Sequence, residues 1–365
     1  MSCLFKEGPG QNMNYDVVIA TRNRRDALKL SIPLILGQSH KPRRLIVVDA
    51  SDDHKGARQT VVDAHGRSSV EVEILHCRPN LPHQRNVALG LVESPVVMFP
   101  DDDSLWWPGV AEAIMRIYEQ DVKGDIGGVC GREMNQPPPG VDIASRNVYK
   151  LRIADRIRKR IEGVRHKFDQ RFCPDPLWVH GKSCWHVRPF PEWLHQIDAA
   201  LVEFMAGFRM SFRTEVIRKY GFDEDLGANV GYAAYEDADA SFKVLQEKLL
   251  VGAHDAHVYH HKAPGRRANA FDLGFILLFN RAYIICRYSP PGSLARAALK
   301  RFALYKMSQY MLDIGSQWGR ERVRGTSAAM KMMRQLLDAP ASLLRQMYLE
   351  SCQKALPREP LKPKR

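Results

Sequence analysis

The first 131 residues alternate apolar strand-length segments with helix-length segments, and this rhythm constrains the fold more than any other feature of the chain. Strand segments are expected at Tyr15 to Ala20, Arg44 to Asp49, Val70 to His76, Pro95 to Phe99 and Ile126 to Gly131. Helix patterns fall between them at about Arg25 to Gly37, His54 to Ala64, Pro82 to Leu91 and Pro108 to Gln120. Strands joined through helices run parallel, and their near-continuous apolar character requires cover on both faces. The fold class is therefore α/β. No Gly-x-Gly-x-x-Gly follows the first strand and no Walker lysine is present, which excludes a dinucleotide fingerprint and a P-loop.

At the end of the fourth strand, Phe99-Pro100-Asp101-Asp102-Asp103-Ser104 places three consecutive carboxylates after Pro95-Val96-Val97-Met98. In open α/β sheets ligands bind outside the strand carboxyl ends, and hard oxygen donors there suit Mg²⁺ or Mn²⁺ chelated to a diphosphate. A solvated turn would use the same residues, so the rest of the chain must decide.

The chain has 365 residues, 45% hydrophobic and 26% charged, a globular composition sufficient for one large domain and an appendage. Its seven cysteines are odd in number and form no Cys-x-x-Cys pair, so neither a disulfide framework nor a zinc knuckle is indicated, and a reducing cytosol fits. Met1 to Asn14 lacks an apolar signal core, and no segment offers about twenty uncharged apolar residues. A net charge of +13 calls for an anionic partner. Basic residues concentrate between Arg146 and Arg171 and again at Arg266, Arg267, Arg296, Lys300, Arg301 and the tail. Interleaved aromatics, a zinc finger and a recognition helix are all missing, so an anionic membrane surface is favoured over nucleic acid.

Beyond Asn135 the rhythm breaks. Pro137-Pro138-Pro139-Gly140 opens a linker, followed by an expected basic amphipathic helix and an aromatic, His-rich loop from Trp178 to Trp193. A strand is expected over Val202 to Arg213, a short helix to Tyr220, a turn at Gly221-Phe222-Asp223, a helix opened by Tyr235-Glu236-Asp237-Ala238-Asp239, and a strand from Val251 to His260. After His260-His261-Lys262-Ala263-Pro264-Gly265, helices are expected at Phe271 to Tyr288, Ser293 to Ile314 and Ala328 to Leu356.

Seven motifs in order resemble the family 2 inverting glycosyltransferases of the GT-A fold. They are Val17-Val18-Ile19-Ala20-Thr21-Arg22-Asn23-Arg24, Ile46-Val47-Val48-Asp49, Gln84-Arg85-Asn86, the Asp101-Asp102-Asp103 run, Phe204 to Gly207 with Met210 to Arg213, Gly221-Phe222-Asp223, and Tyr235 to Asp239. The resemblance covers about residues 15 to 262. It implies that Thr21, Asn23 and Asp49 line a base pocket, with a carboxylate able to accept an imide N–H of uracil. Arg85 would reach the base or diphosphate, Asp101 and Asp102 the ribose, and Gly207 would permit close backbone approach. Asp103 would ligate Mg²⁺ or Mn²⁺, with His260 or His261 nearby. Asp237 would be the general base for the acceptor hydroxyl, with Glu236 as second candidate because neighbouring helix-start residues point differently.

The implied architecture is a GT-A domain over 15–265, with an acceptor-side insertion at 135–200. A helical region at 266–356 would follow, between a flexible start at 1–14 and a flexible basic tail at 357–365. The implied partners are a nucleotide-sugar donor, with UDP-sugars preferred, and a saccharide or lipid-linked acceptor. The implied location is cytoplasmic, on the inner membrane face. Ala50-Ser51 departs from the usual acid-Gly-Ser, and Leu81-Pro82-His83 from a commonly Gly-containing turn. No Gln-x-x-Arg-Trp element of processive synthases is present, so single-sugar transfer is expected. The competing readings are a metal-dependent nucleotidyltransferase and a non-catalytic protein binding a membrane surface or nucleic acid.

Overall fold

The structure is a computed structural model that describes residues 13–143, 172–185, 189–227, 233–263 and 269–356. Strands β1 (Tyr15–Thr21), β2 (Arg44–Asp49), β3 (Glu71–His76) and β4 (Val96–Phe99) alternate with helices α1 (Arg25–Leu36), α2 (His54–His65) and α3 (Leu81–Leu89). β5 (Ser104–Trp106), α4 (Val110–Gln120) and β6 (Ile126–Met134) follow. Next come α5 (Pro176–Cys184), β7 (Ala199–Leu201), β8 (Met210–Arg213), α6 (Thr214–Tyr220), α7 (Glu236–Leu245) and β9 (Leu249–His260). Helices α8 (Ala270–Tyr288), α9 (Leu294–Met311), α10 (Gln317–Leu337) and α11 (Ala341–Ala355) end the described chain.

The sheet runs in the order β3-β2-β1-β4-β8-β6-β9-β5, with β7 added beside β9. β1 to β4 are parallel, β8 is antiparallel between β4 and β6, and β6 and β9 are parallel. Hence β4, β6 and β9 point their carboxyl ends toward one rim. Side chains alternate along β1 between two cores, as the strand period of two requires. Val17 and Ile19 pack with α1 and α4, whereas Val18 joins Ile46, Phe242 of α7 and Phe275 and Phe279 of α8. The C-terminal helices thus complete the core of the sheet. Arg287 of α8 ties this packing to the site, pairing with Asp239 of α7 at 2.7 Å and with Asp223 at 2.6 Å.

Four local expectations change. The stretch Val202 to Arg213 is a strand only over Met210–Arg213, preceded by a 3-10 turn at Gly207–Arg209. The backbone amides of Met205 and Gly207 bond to Ser241 Oγ and Asp237 Oδ2 instead of to a neighbouring strand. Trp178, Val179 and His180 lie in α5, not a loop, because Asp175 caps its start and Pro176 supplies a preset first turn. Ala328 to Leu356 is two helices, since Pro340 ends the first and opens the second. The three-residue β5, held antiparallel to β9, was not anticipated. The expected basic helix and the Arg146 to Arg171 run fall almost wholly outside the described residues, as do most of the N-terminal segment and the basic tail.

Candidate active site

The rim gathers the motif residues. At the β1 and β2 ends, Gln84 Nε2 donates to Thr21 O at 3.0 Å and Val48 O at 2.8 Å, fixing the strand ends to α3. Asn23, at φ 55°, stitches the two loops together. Its N–H donates to Ser51 Oγ at 2.7 Å, and its amide exchanges 3.0 Å bonds with Asp52. Asp49 Oδ1 accepts from Ser51 N at 3.0 Å, while the buried Asp49 Oδ2 has no hydrogen bond. That oxygen stands 3.5 Å from His76 Nδ1. A buried carboxylate oxygen without a donor is costly, and it fits an incoming N–H.

Around the Asp triplet the charges are closely matched. Thr21 Oγ1 donates to Asp102 Oδ2 at 2.8 Å, and Arg24 Nη1 bridges Asp102 at 2.9 Å and Asp103 at 3.2 Å. Arg24 also reaches Ala263 O at 3.2 Å, and Ala263 N donates to Asp103 Oδ2 at 2.9 Å, clamping the chain beyond β9 onto the triplet. Asp101, Asp103 and His260 bring ligand atoms within 4.8 Å of one another. Asp103 Oδ1 is buried without a hydrogen bond and faces His260 Nε2 at 3.3 Å. Converging carboxylates with an orphaned oxygen fit a divalent cation. His261 is outside this group; its backbone N–H bonds Asp103 O. Burial pushes Asp103 upward, yet the facing His260 outweighs it, with help from Arg24, and holds the carboxyl below its usual range. Burial lifts Asp102 to about 7 against the pull of Arg24, and it also raises Asp101.

The second acidic cluster opens α7. Arg85, 2% exposed, donates from Nη1 to Glu236 at 2.9 Å and from Nη2 to Asp101 at 3.0 Å, so one guanidinium joins the two clusters. Asn86 next to it grips Phe222, accepting from its N–H at 2.8 Å and donating to its carbonyl at 2.9 Å. Asp237 Oδ2 accepts from Gly207 N and Oδ1 from Ala238 N, each at 2.8 Å. Burial raises both carboxyls. Glu236 reaches about 7, with the Asp237 charge adding to burial, and Asp237 rises while the two amides oppose the change.

Several contributors had weak or no sequence signal. Arg24 was visible only as part of its motif. Phe208, whose ring stacks on His260 at 4.5 Å, carried none. Among the described residues, the non-glycine positions with positive φ are Asn23, Tyr235 and Lys262, each bordering the site. Such strained backbone persists where its surroundings over-determine it, commonly at functional sites.

Residues 16–176 match the family model described as Glycosyl transferase family 2. No curated protein sequence matches the chain. Among solved structures, GalNAc-T7 with UDP, GalNAc and Mn²⁺ aligns at a TM-score of 0.50 and 10% identity, covering 94% of this chain and 58% of that one. S. aureus TarS 1–349 with UDP-GlcNAc aligns at 0.49 and 14% identity, over 94% and 90% of the two chains. The mannosyltransferase PcManGT from Pyrobaculum calidifontis with GDP-Man and Mn²⁺ aligns at 0.48 and 15%, over 96% and 89%. Sheet, rim and family match together define a glycosyltransferase of GT-A architecture. More particularly, it is the glycosyl transferase family 2 model that residues 16–176 match. The matched stretch ends before Gly207, Glu236, Asp237 and His260, so those positions rest on their geometry.

Proposed function

We propose that the protein moves one sugar from a nucleotide-sugar donor, preferentially a UDP-sugar, to an acceptor hydroxyl with inversion. The observation that carries this reading is the Arg85 bridge, which places Asp101 and Glu236 on one guanidinium and so joins a donor cluster to a base cluster. Asp49 would accept the base N–H, with Thr21 and Asn23 shaping that pocket and Asp101 and Asp102 near the ribose. Asp103, Asp101 and His260 would hold a divalent cation, with Mn²⁺ favoured over Mg²⁺ by the imidazole. When bound, the ion supplies charge neutralisation for the leaving diphosphate. Asp237 takes the acceptor proton. Its two amide donors fix the carboxylate, and burial raises its basicity. Glu236, engaged by Arg85, positions rather than abstracts. Attack by the deprotonating hydroxyl opposite the leaving group inverts the anomeric carbon.

A panel of sugar nucleotides with Mn²⁺ or Mg²⁺, read by thermal shift and by release of nucleoside diphosphate, tests this reading. One donor should stabilise the protein and be consumed, and the product anomer should be inverted by NMR. Stabilisation by none with either ion, or a retained anomer, contradicts it.

Work at an anionic membrane surface belongs to the same proposal, and with it a lipid-linked or envelope-bound acceptor. Among the described residues no helix is long and apolar enough to cross a membrane. The end of α9, the turn after it and the start of α10, however, expose Leu304, Leu312 and Trp318 on a stretch that also carries Lys300, Arg301 and Arg320. Apolar tips flanked by basic side chains suit an interfacial contact. Among the described residues, Cys77, Cys130, Cys173, Cys184, Cys286 and Cys352 form no disulfide, which suits the cytoplasmic side. Salt-sensitive flotation with phosphatidylglycerol vesicles is expected, and absence of binding contradicts it.

A further inference from the structure

A cavity of about 450 Å³ opens along β6 and β9, lined by Cys130, Arg132, Val202, Arg209, Gly252 and His254 among others. Strand register fixes its place. Phe99 of β4 pairs with Met210, Met210 with Cys130, and Cys130 with Gly252, so all four stand in one row across the sheet. Asp101 lies two residues past this row, beyond the end of β4, and Arg132 lies two past it on β6. Two strand spacings separate those strands by about 10 Å. The cavity therefore shares the rim with the donor cluster but sits to its side.

Its polar lining is basic and under-used. Arg132 is exposed, and its side chain has no hydrogen bond or ion pair among the described residues. Arg209 donates from Nη1 to Gly131 O, but its Nε is buried without a partner. His254 is oriented by Asp198, which takes its Nδ1 at 2.8 Å, and the neighbouring Asp255 is engaged by Arg116. An unmet, buried guanidinium N–H favours an oxyanion, for which two arginines form strong charge-assisted bonds. The turn Gly207–Arg209 supplies the link to chemistry. Gly207 holds Asp237 and Arg209 reaches the cavity, two residues that span at most about 7 Å.

We propose that this cavity receives an oxyanion, phosphate or carboxylate, carried by the sugar acceptor; this rests on the glycosyl-transfer reading above. A hydroxyl presented to Asp237 would then belong to a sugar whose anionic group lies against Arg132 and Arg209. The test is calorimetric binding of a neutral hexose, a hexose 6-phosphate and a hexuronate to the full chain and to Arg132→Gln, with saturating UDP and Mn²⁺. Because Arg132 is exposed and its side chain is unpaired among the described residues, this variant should fold. An anionic sugar should bind at least tenfold tighter than the neutral one, and Arg132→Gln should reduce that ratio about tenfold. The tighter of the two anions identifies phosphate or carboxylate as the source. No preference, or equal loss for all three sugars, overturns the proposal. Displacement of the sugar phosphate by UDP also overturns it, assigning the cavity to the donor. Donor turnover is read separately: turnover without anion preference sinks the cavity alone, whereas anion binding without turnover sinks the transfer reading and the acceptor assignment with it.

Discussion

The two acidic clusters differ at one carboxylate: burial raises Asp101 and Asp102 as it raises Glu236 and Asp237, whereas Asp103 is held down. At Asp101 to Asp103, Arg24 and His260 lie against the carboxylates, and Asp103 is held ionised below its ordinary range. At Glu236 and Asp237, one shared arginine and two backbone amides oppose burial, and both carboxyls rise. A cation ligand must stay deprotonated, whereas a base must take a proton and release it. The difference lies in what faces each group: His260 and Arg24 lie against Asp103, whereas two neutral backbone amides hold Asp237.

The largest expected effects separate the clusters. Asp237→Asn should lower kcat by roughly 10²–10⁴ and retain donor binding, as loss of a general base does. Asp103→Asn should instead abolish Mn²⁺-dependent donor binding, read by calorimetry. Equal donor binding by the two variants would break the comparison. Replacing the shared arginine, Arg85→Met, should affect both clusters, because it leaves Glu236 and Asp101 facing without their counter-charge. The expected cost is about 3–5 kcal/mol in denaturant unfolding, the order found when one partner of a buried pair is removed.

The acid side of the pH profile sharpens the contrast. In the proposed mechanism Asp237 acts ionised, and its carboxyl and that of Glu236 are raised by burial, Glu236 to about 7. As pH falls, kcat/KM should therefore decline at a pH above the ordinary aspartate value of about 3.9. The two groups titrate as a pair, so Glu236→Gln should shift this limb downward by removing the neighbouring negative charge. An unshifted limb would separate Glu236 from the base. A smaller effect distinguishes the two histidines: His260→Ala should weaken Mn²⁺ binding roughly tenfold or more, while His261→Ala leaves it within twofold.

Much of this was legible in the chain. Parallel strands β1 to β4 follow from apolar runs whose boundaries the turn residues mark, and the Asp triplet announces a strand end. The pairings that give each carboxylate its character were not legible. Thr21 meets Asp102 across 81 positions and Ala263 meets Asp103 across 160, contacts that only the assembled sheet creates. The Val202 to Arg213 stretch misled for the same reason. Its alternation suits a strand, but tertiary bonds to Ser241 and Asp237 redirect the backbone and thereby present Gly207 and Arg209 to the site. Local pattern identifies the scaffold, and long-range contacts set the charge states on it.

The most direct test of the two-cluster account is one measurement on Asp237→Asn. Donor affinity by calorimetry and nucleoside diphosphate release would be followed in the same Mn²⁺ buffer as the parent protein. The account predicts donor affinity within about threefold of the parent and release slowed at least a hundredfold. Release at the parent's rate would contradict it and remove Asp237 from the chemistry.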